Sequence, residues 1–237
     1  MPLLFIRQLP VLHRQTPLFG VWQIAEEEVF FRRHLTLTPE EEADVAGCKG
    51  LRRLEWLAVR YLLHVLTGNG LRWPLGKDAF AKPFFLQNNG QHCSLSHSKG
   101  LVGALLADVP AGCDIQVLTD KMPHLAPRFL HPEEQAFLAT FAADVQFDLQ
   151  HVFWTAKESL YKAYGLKALD FRRHLRIEPF DWAGGCGEST GWVCKASPFE
   201  SYGLYMEKPA LRAGIPPFVW SAALRAEANS DGERRPR

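Results

Sequence analysis

Residues 153–165, Phe-Trp-Thr-Ala-Lys-Glu-Ser-Leu-Tyr-Lys-Ala-Tyr-Gly, constrain the fold more than any other stretch. They read as one helix. Phe153, Trp154, Leu160, Tyr161 and Tyr164 leave that helix little polar surface, so it must be packed on most sides. Yet it also carries Glu158 and Lys162, four residues apart and hence on one face. On a solvated helix such a pair is an ordinary stabilising contact of about 0.3 kcal/mol. Inside a packed helix, charges ask for a function.

The rest of the chain predicts what surrounds this helix. Two or three strands fit residues 1–37, with Gly20-Val21-Trp22-Gln23-Ile24 the clearest. Thr38-Pro39-Glu40-Glu41-Glu42 is a helix start: a hydroxyl cap, proline at the first position and acids in the first turn. A second helix is predicted over 50–66, apolar on one face and carrying Arg52, Arg53 and Arg60 elsewhere. Short strands follow at 77–86, 93–96, 101–106 and 112–118, with a turn at Asn88-Asn89-Gly90. A helix at 127–143, broken at His131-Pro132, precedes the helix at 150–167. Strands are expected at 175–177, 191–195, 201–206 and 219–224. The fold class is therefore α+β, with an N-terminal half at 1–110, a C-terminal half at 111–225 and a polar, mobile tail at 226–237.

Bulk properties remove several function classes. The 237 residues are long enough for a sizeable core, and the formal net charge of +1 provides no global field for nucleic acid or an anionic membrane. No apolar run reaches membrane-spanning length. Arg7 comes too early for an export signal, and five dispersed cysteines offer no close-spaced zinc pair. Reduced thiols in a cytoplasm are the expectation.

Three groups of residues invite chemistry. Asp114 lies in the apolar strand Gly112-Cys113-Asp114-Ile115-Gln116, where an acid needs a cation, an arginine or a turn to cap. Gln116 shares its face and offers a neutral oxygen. Ser94-Leu95-Ser96-His97-Ser98 gathers hydroxyls and an imidazole at a strand end. Ser96 and His97 are not a nucleophile pair, because neighbours on a strand point to opposite faces. Lys77 and Lys82 add cations just upstream. An acid on a strand, an acid on a helix and a lysine one turn later can hold a hydrated metal against a phosphate.

In this order the motifs resemble the 4′-phosphopantetheinyl transferase superfamily of the Sfp type. The match runs through Lys82-Pro83, Ser94-Leu95-Ser96-His97-Ser98, Gly112-Cys113-Asp114-Ile115-Gln116 and Trp154-Thr155-Ala156-Lys157-Glu158-Ser159-Leu160-Tyr161-Lys162. The resemblance implies a pseudo-twofold pair of similar α+β halves with a coenzyme A site between them. It implies Mg²⁺-dependent transfer of the phosphopantetheine arm of coenzyme A to a serine of an apo acyl, peptidyl or other carrier protein, by a monomer. Asp114 and Glu158 would ligate Mg²⁺, with Gln116 where the family often has glutamate. Glu158 would also take the serine proton. Lys162 would stabilise the leaving phosphate, and Lys82, Ser96 and His97 would contact coenzyme A phosphates, Lys77 more loosely. Ala81 stands where the family has glycine, and Asp44 where it often has basic residues. A silent homologue that binds coenzyme A or a carrier, and a plain α+β domain with ordinary ion pairs, are the competing readings.

Overall fold

The computed structural model describes residues 2–10, 15–87 and 90–226. Asn88 and Asn89 of the expected turn and nearly all of the expected tail therefore lie outside the described residues. Two compact units are formed, Met1–Pro110 and Ala111–Arg237.

The first unit has a four-stranded antiparallel sheet of β1 (Leu3–Gln8), β2 (Leu18–Gln23), β5 (His92–Ser98) and β6 (Leu101–Ala107), in the order β1-β2-β6-β5. Helix α3 (Gly50–Thr67) packs on it. Leu57 and Leu62 of this helix meet Val102 and Ala104 in a dry core. Helix α2 (Pro39–Ala46) begins as expected: the Thr38 hydroxyl accepts from Glu41 N, and the Glu41 carboxylate accepts from Thr38 N. Strands β3 (Leu75–Lys77) and β4 (Pro83–Phe85) form a small separate hairpin.

Residues 1–37 hold β1 and β2, within the two or three strands expected there; residues 28–34 are helical, which the sequence does not announce. They form helix α1 (Glu28–His34), whose Glu27 N-cap makes no side-chain bond. Its order comes from tertiary contacts instead. Phe31 is fully buried, and the Glu28 carboxylate takes two bonds from Arg53, at 2.7 and 2.9 Å.

The second unit has a five-stranded antiparallel sheet in the order β7-β11-β10-β9-β8. It comprises β7 (Ala111–Val117), β8 (Leu175–Ile177), β9 (Cys186–Val193), β10 (Glu200–Glu207) and β11 (Phe218–Arg225). Helix α6 (Ala143–Tyr164) lies against β7 and β11. Its Phe153, Ala156 and Leu160 are buried with Leu204, Val219 and Ala223. The helix starts earlier than expected because Ala142, its N-cap, carries no capping side chain to mark the boundary. The preceding helical segment is indeed broken near His131, into α4 (Met122–Phe129) and α5 (Pro132–Leu138). A one-turn helix, α7 (Phe171–His174), follows α6. Among the described residues, no helix is long and apolar enough to cross a membrane.

Candidate active site

Strand β7 and helix α6 approach one another at Gly112. A β-carbon there would fall 2.1 Å from Ser159 O and 2.5 Å from Ala163 N, so only a hydrogen fits. A second fastening lies next door. The buried Ser159 hydroxyl donates to Ser221 O on β11 at 3.0 Å, and Ser221 is the cross-strand partner of Asp114. The close approach carries Lys162 onto β7. Its ammonium lies 2.7 Å from Asp114 Oδ1 and donates to Cys113 O at 3.0 Å. Lys162 is thus bonded across to the strand, a different partnership from the simple helical pair with Glu158.

Glu158 joins the same electrostatic group. Burial, reinforced by the nearby Asp114 carboxylate, pushes its carboxyl above the usual range, against the pull of Lys162. Burial disfavours the Lys162 charge, but Asp114 and its neighbours outweigh that and hold the ammonium above the usual lysine range. Gln116 pairs with Val219, two positions along β7 from Asp114. Its amide nitrogen donates to Val117 O at 2.8 Å, which leaves the amide oxygen as its ligating atom.

Two carboxylates and one ammonium leave this group short of positive charge, and its donors are hard oxygens. That set fits a divalent cation which keeps waters and shares phosphate oxygens. Among the described residues, no group of three or more His, Cys, Asp or Glu side chains could hold a metal ion unaided. Two protein carboxylates suffice for Mg²⁺ when a substrate supplies further oxygens.

Lys157, for which the sequence suggests no separate role, is fully buried. Its side chain bonds Glu134 at 2.7 Å and donates to Phe129 O, Phe171 O and Leu175 O. Glu134 also accepts from His131 N and Ile177 N. One lysine therefore ties α4, α5, α7 and β8 to α6. Desolvation pushes Lys157 down and Glu134 up from their ordinary values. A lysine amid aromatics was the sequence signal for such a buried tie.

The first unit holds the remaining predicted residues. Ser96 is buried on β5, and His97 points to the opposite face with its side chain 38% exposed. His97 Nδ1 lies 2.8 Å from Glu55 Oε2, while Glu55 Oε1 accepts from Gly100 N at 3.0 Å. Glu55, absent from the sequence reading, thus fixes both His97 and the β5–β6 turn. Lys82 sits on a loop closed by Asp78, whose carboxylate accepts from Phe80 N and Lys82 N at 2.8 and 2.9 Å. Burial pushes the Lys82 ammonium below its usual value. Ala81 in that loop has φ of 67°, in the left-handed region. Lys77 is drawn to Asp44, 2.5 Å away, and both are solvent-facing.

Comparison with known proteins adds two findings. Residues 110–204 match the model of the 4′-phosphopantetheinyl transferase superfamily. The 4′-phosphopantetheinyl transferase gsp of Aneurinibacillus migulanus is 31% identical over 111 residues, which cover 47% of this chain and 46% of that relative. The match thus spans about half the length of the curated relative.

Proposed function

We propose that the chain, whose residues 110–204 match the 4′-phosphopantetheinyl transferase superfamily, transfers the 4′-phosphopantetheine arm of coenzyme A to a serine hydroxyl of an apo carrier protein. The other product is 3′,5′-ADP. The observation that supports this most is the meeting of Asp114, Lys162 and Glu158 where β7 crosses α6.

Asp114 and Glu158 would hold Mg²⁺, with Gln116 contributing its amide oxygen or orienting a water. When bound, the ion would neutralise diphosphate charge and polarise the phosphoryl group. Glu158 takes the proton of the carrier serine as its oxygen bonds to phosphorus. The bond from phosphorus to the bridging oxygen breaks, and Lys162 stabilises the charge left on the departing phosphate. Its bonds to Asp114 and Cys113 O preset the ammonium position, so little reorganisation is needed. Lys82, Ser96 and His97 are the proposed phosphate contacts of the first unit. Lys77 suits that task less well, since Asp44 already engages it.

The test is the intact mass of an apo acyl carrier protein after incubation with this chain, coenzyme A and Mg²⁺. A gain of one phosphopantetheine arm, abolished by chelation, is expected. No gain on acyl or peptidyl carriers, with coenzyme A still bound, would replace the enzyme reading with that of a silent homologue.

A further inference from the structure

We propose that the surface just beyond the C-terminal end of α6 docks an acidic face of the carrier protein, through Lys167, Arg172, Arg173 and Lys195 set around Leu166. This rests on the carrier reading above and names where the partner sits.

The charge distribution points there. The whole chain carries +1, yet residues 166–176 hold four cations against one carboxylate, Asp170. That carboxylate is spent on the backbone: Oδ1 accepts from Arg172 N and Arg173 N, both at 2.9 Å, capping α7. Arg176 is engaged by Glu133 at 2.7 Å. Lys167, Arg172 and Arg173 are exposed, and none forms a close ion pair with a carboxylate among the described residues, although Asp170 feels the charge of Arg173. Lys195 joins them, its amine donating to Lys167 O at 3.2 Å. Leu166, 48% exposed, gives the group an apolar residue.

The surface is also rigidly attached to the chemistry. The Phe171 ring lies 5.7 Å from that of Trp154 and 5.6 Å from that of Tyr161, both on α6. Phe171 O and Leu175 O accept from Lys157. A partner gripped here is therefore positioned relative to Glu158 and Lys162 on the same helix.

The chemistry of the patch selects an acidic protein over other polyanions. Cations around an apolar residue match a helix with an acidic rim and an apolar anchor. A near-neutral chain offers little long-range attraction for nucleic acid or an anionic bilayer.

The experiment is fluorescence anisotropy of a labelled apo acyl carrier protein titrated with the full chain, at low and high salt. It compares the wild type with Arg172→Glu/Arg173→Glu and with Lys195→Glu, each first shown to be folded by its thermal midpoint. We expect salt-sensitive binding by the wild type and at least a tenfold rise in Kd for the double variant, or for Lys195→Glu if the double variant does not fold. In turnover, the carrier KM should rise in parallel while the coenzyme A KM and kcat hold. Equal affinities in wild type and folded variants, or no carrier binding by the wild type, would overturn the proposal. So would variant-sensitive binding of duplex DNA or anionic vesicles without carrier binding. Patch-dependent carrier binding in a chain that transfers nothing would uphold the docking surface and sink the catalytic reading alone.

Discussion

Lys162 Nζ stands 2.7 Å from Asp114 Oδ1 and so joins residues 48 apart in sequence. The helix thereby presents its cation to the same strand acid that would face a metal. Asp114→Ala and Glu158→Ala should each lower kcat by at least about 100-fold, the scale of losing one charge-stabilising group. Carrier mass shifts report the activity, and circular dichroism should show both variants folded. Turnover within tenfold of wild type in either variant would remove that residue from the site.

Gln116→Glu adds a negative oxygen on the Asp114 side of β7. Activity should be kept or raised, and the Mg²⁺ concentration for half-maximal rate should fall. Titrating Mg²⁺ against initial rate measures this. A large loss of activity would mean that position 116 does not face the ion.

Gly112→Ala should be strongly destabilising. Its β-carbon would lie 2.1 Å from Ser159 O, and that neighbour is helix backbone, which cannot rotate aside. The cost should reach or exceed the roughly 3 kcal/mol at the top of the ordinary overpacking range. Urea midpoints decide it; a shift below about 1 kcal/mol would show that β7 and α6 can separate freely.

Ala81→Gly should act in the opposite direction. At φ of 67° the alanine methyl group crowds its own backbone, and glycine relieves this. A gain of about 1 kcal/mol is expected, somewhat offset by the freer unfolded chain. Thermal and urea unfolding should both register it.

His151 predicts an acid limit to stability. Nε2 accepts from Thr119 N at 2.9 Å, and Nδ1 lies 2.8 Å from Phe147 O, an arrangement that requires the neutral ring. Burial lowers its pKa from 6.5 in the folded chain. The contribution is thus whole above pH 6.5 and is lost as pH falls through the lowered folded value. Over that window the wild type should lose stability, with about 1.4 kcal/mol per pH unit the ceiling for one titrating group. His151→Gln, compared by urea unfolding at several pH values, should show a shallower slope.

The strongly patterned elements were legible from sequence. The α2 start follows from Thr38 and Glu41 binding each other's backbone, and the α3 and α6 cores follow from their apolar spacing. Helix α1 was not legible: Val29, Phe30 and Phe31 favour a strand locally, and contacts with Tyr61 and Arg53 from α3 override them. At the site, the residue types of Asp114, Glu158 and Lys162 could be read off, but their partners could not. The helical spacing suggested a Glu158–Lys162 pair, whereas the missing side chain of Gly112 brings β7 close enough for Asp114 to bond Lys162. Glu55 escaped notice because a single acid on a helix carries no signal until a turn folds over it.

Neighbouring positions 157 and 158 carry opposite charges into opposite surroundings. Lys157 is sealed among three carbonyls and Glu134, whereas Glu158 stands beside Asp114 and Lys162. A screen scored by product alone would rank replacements at the two positions as equally damaging. Paired with a measure of how much folded protein survives, it would separate them, with variants of Lys157 scarce and variants of Glu158 abundant but inert.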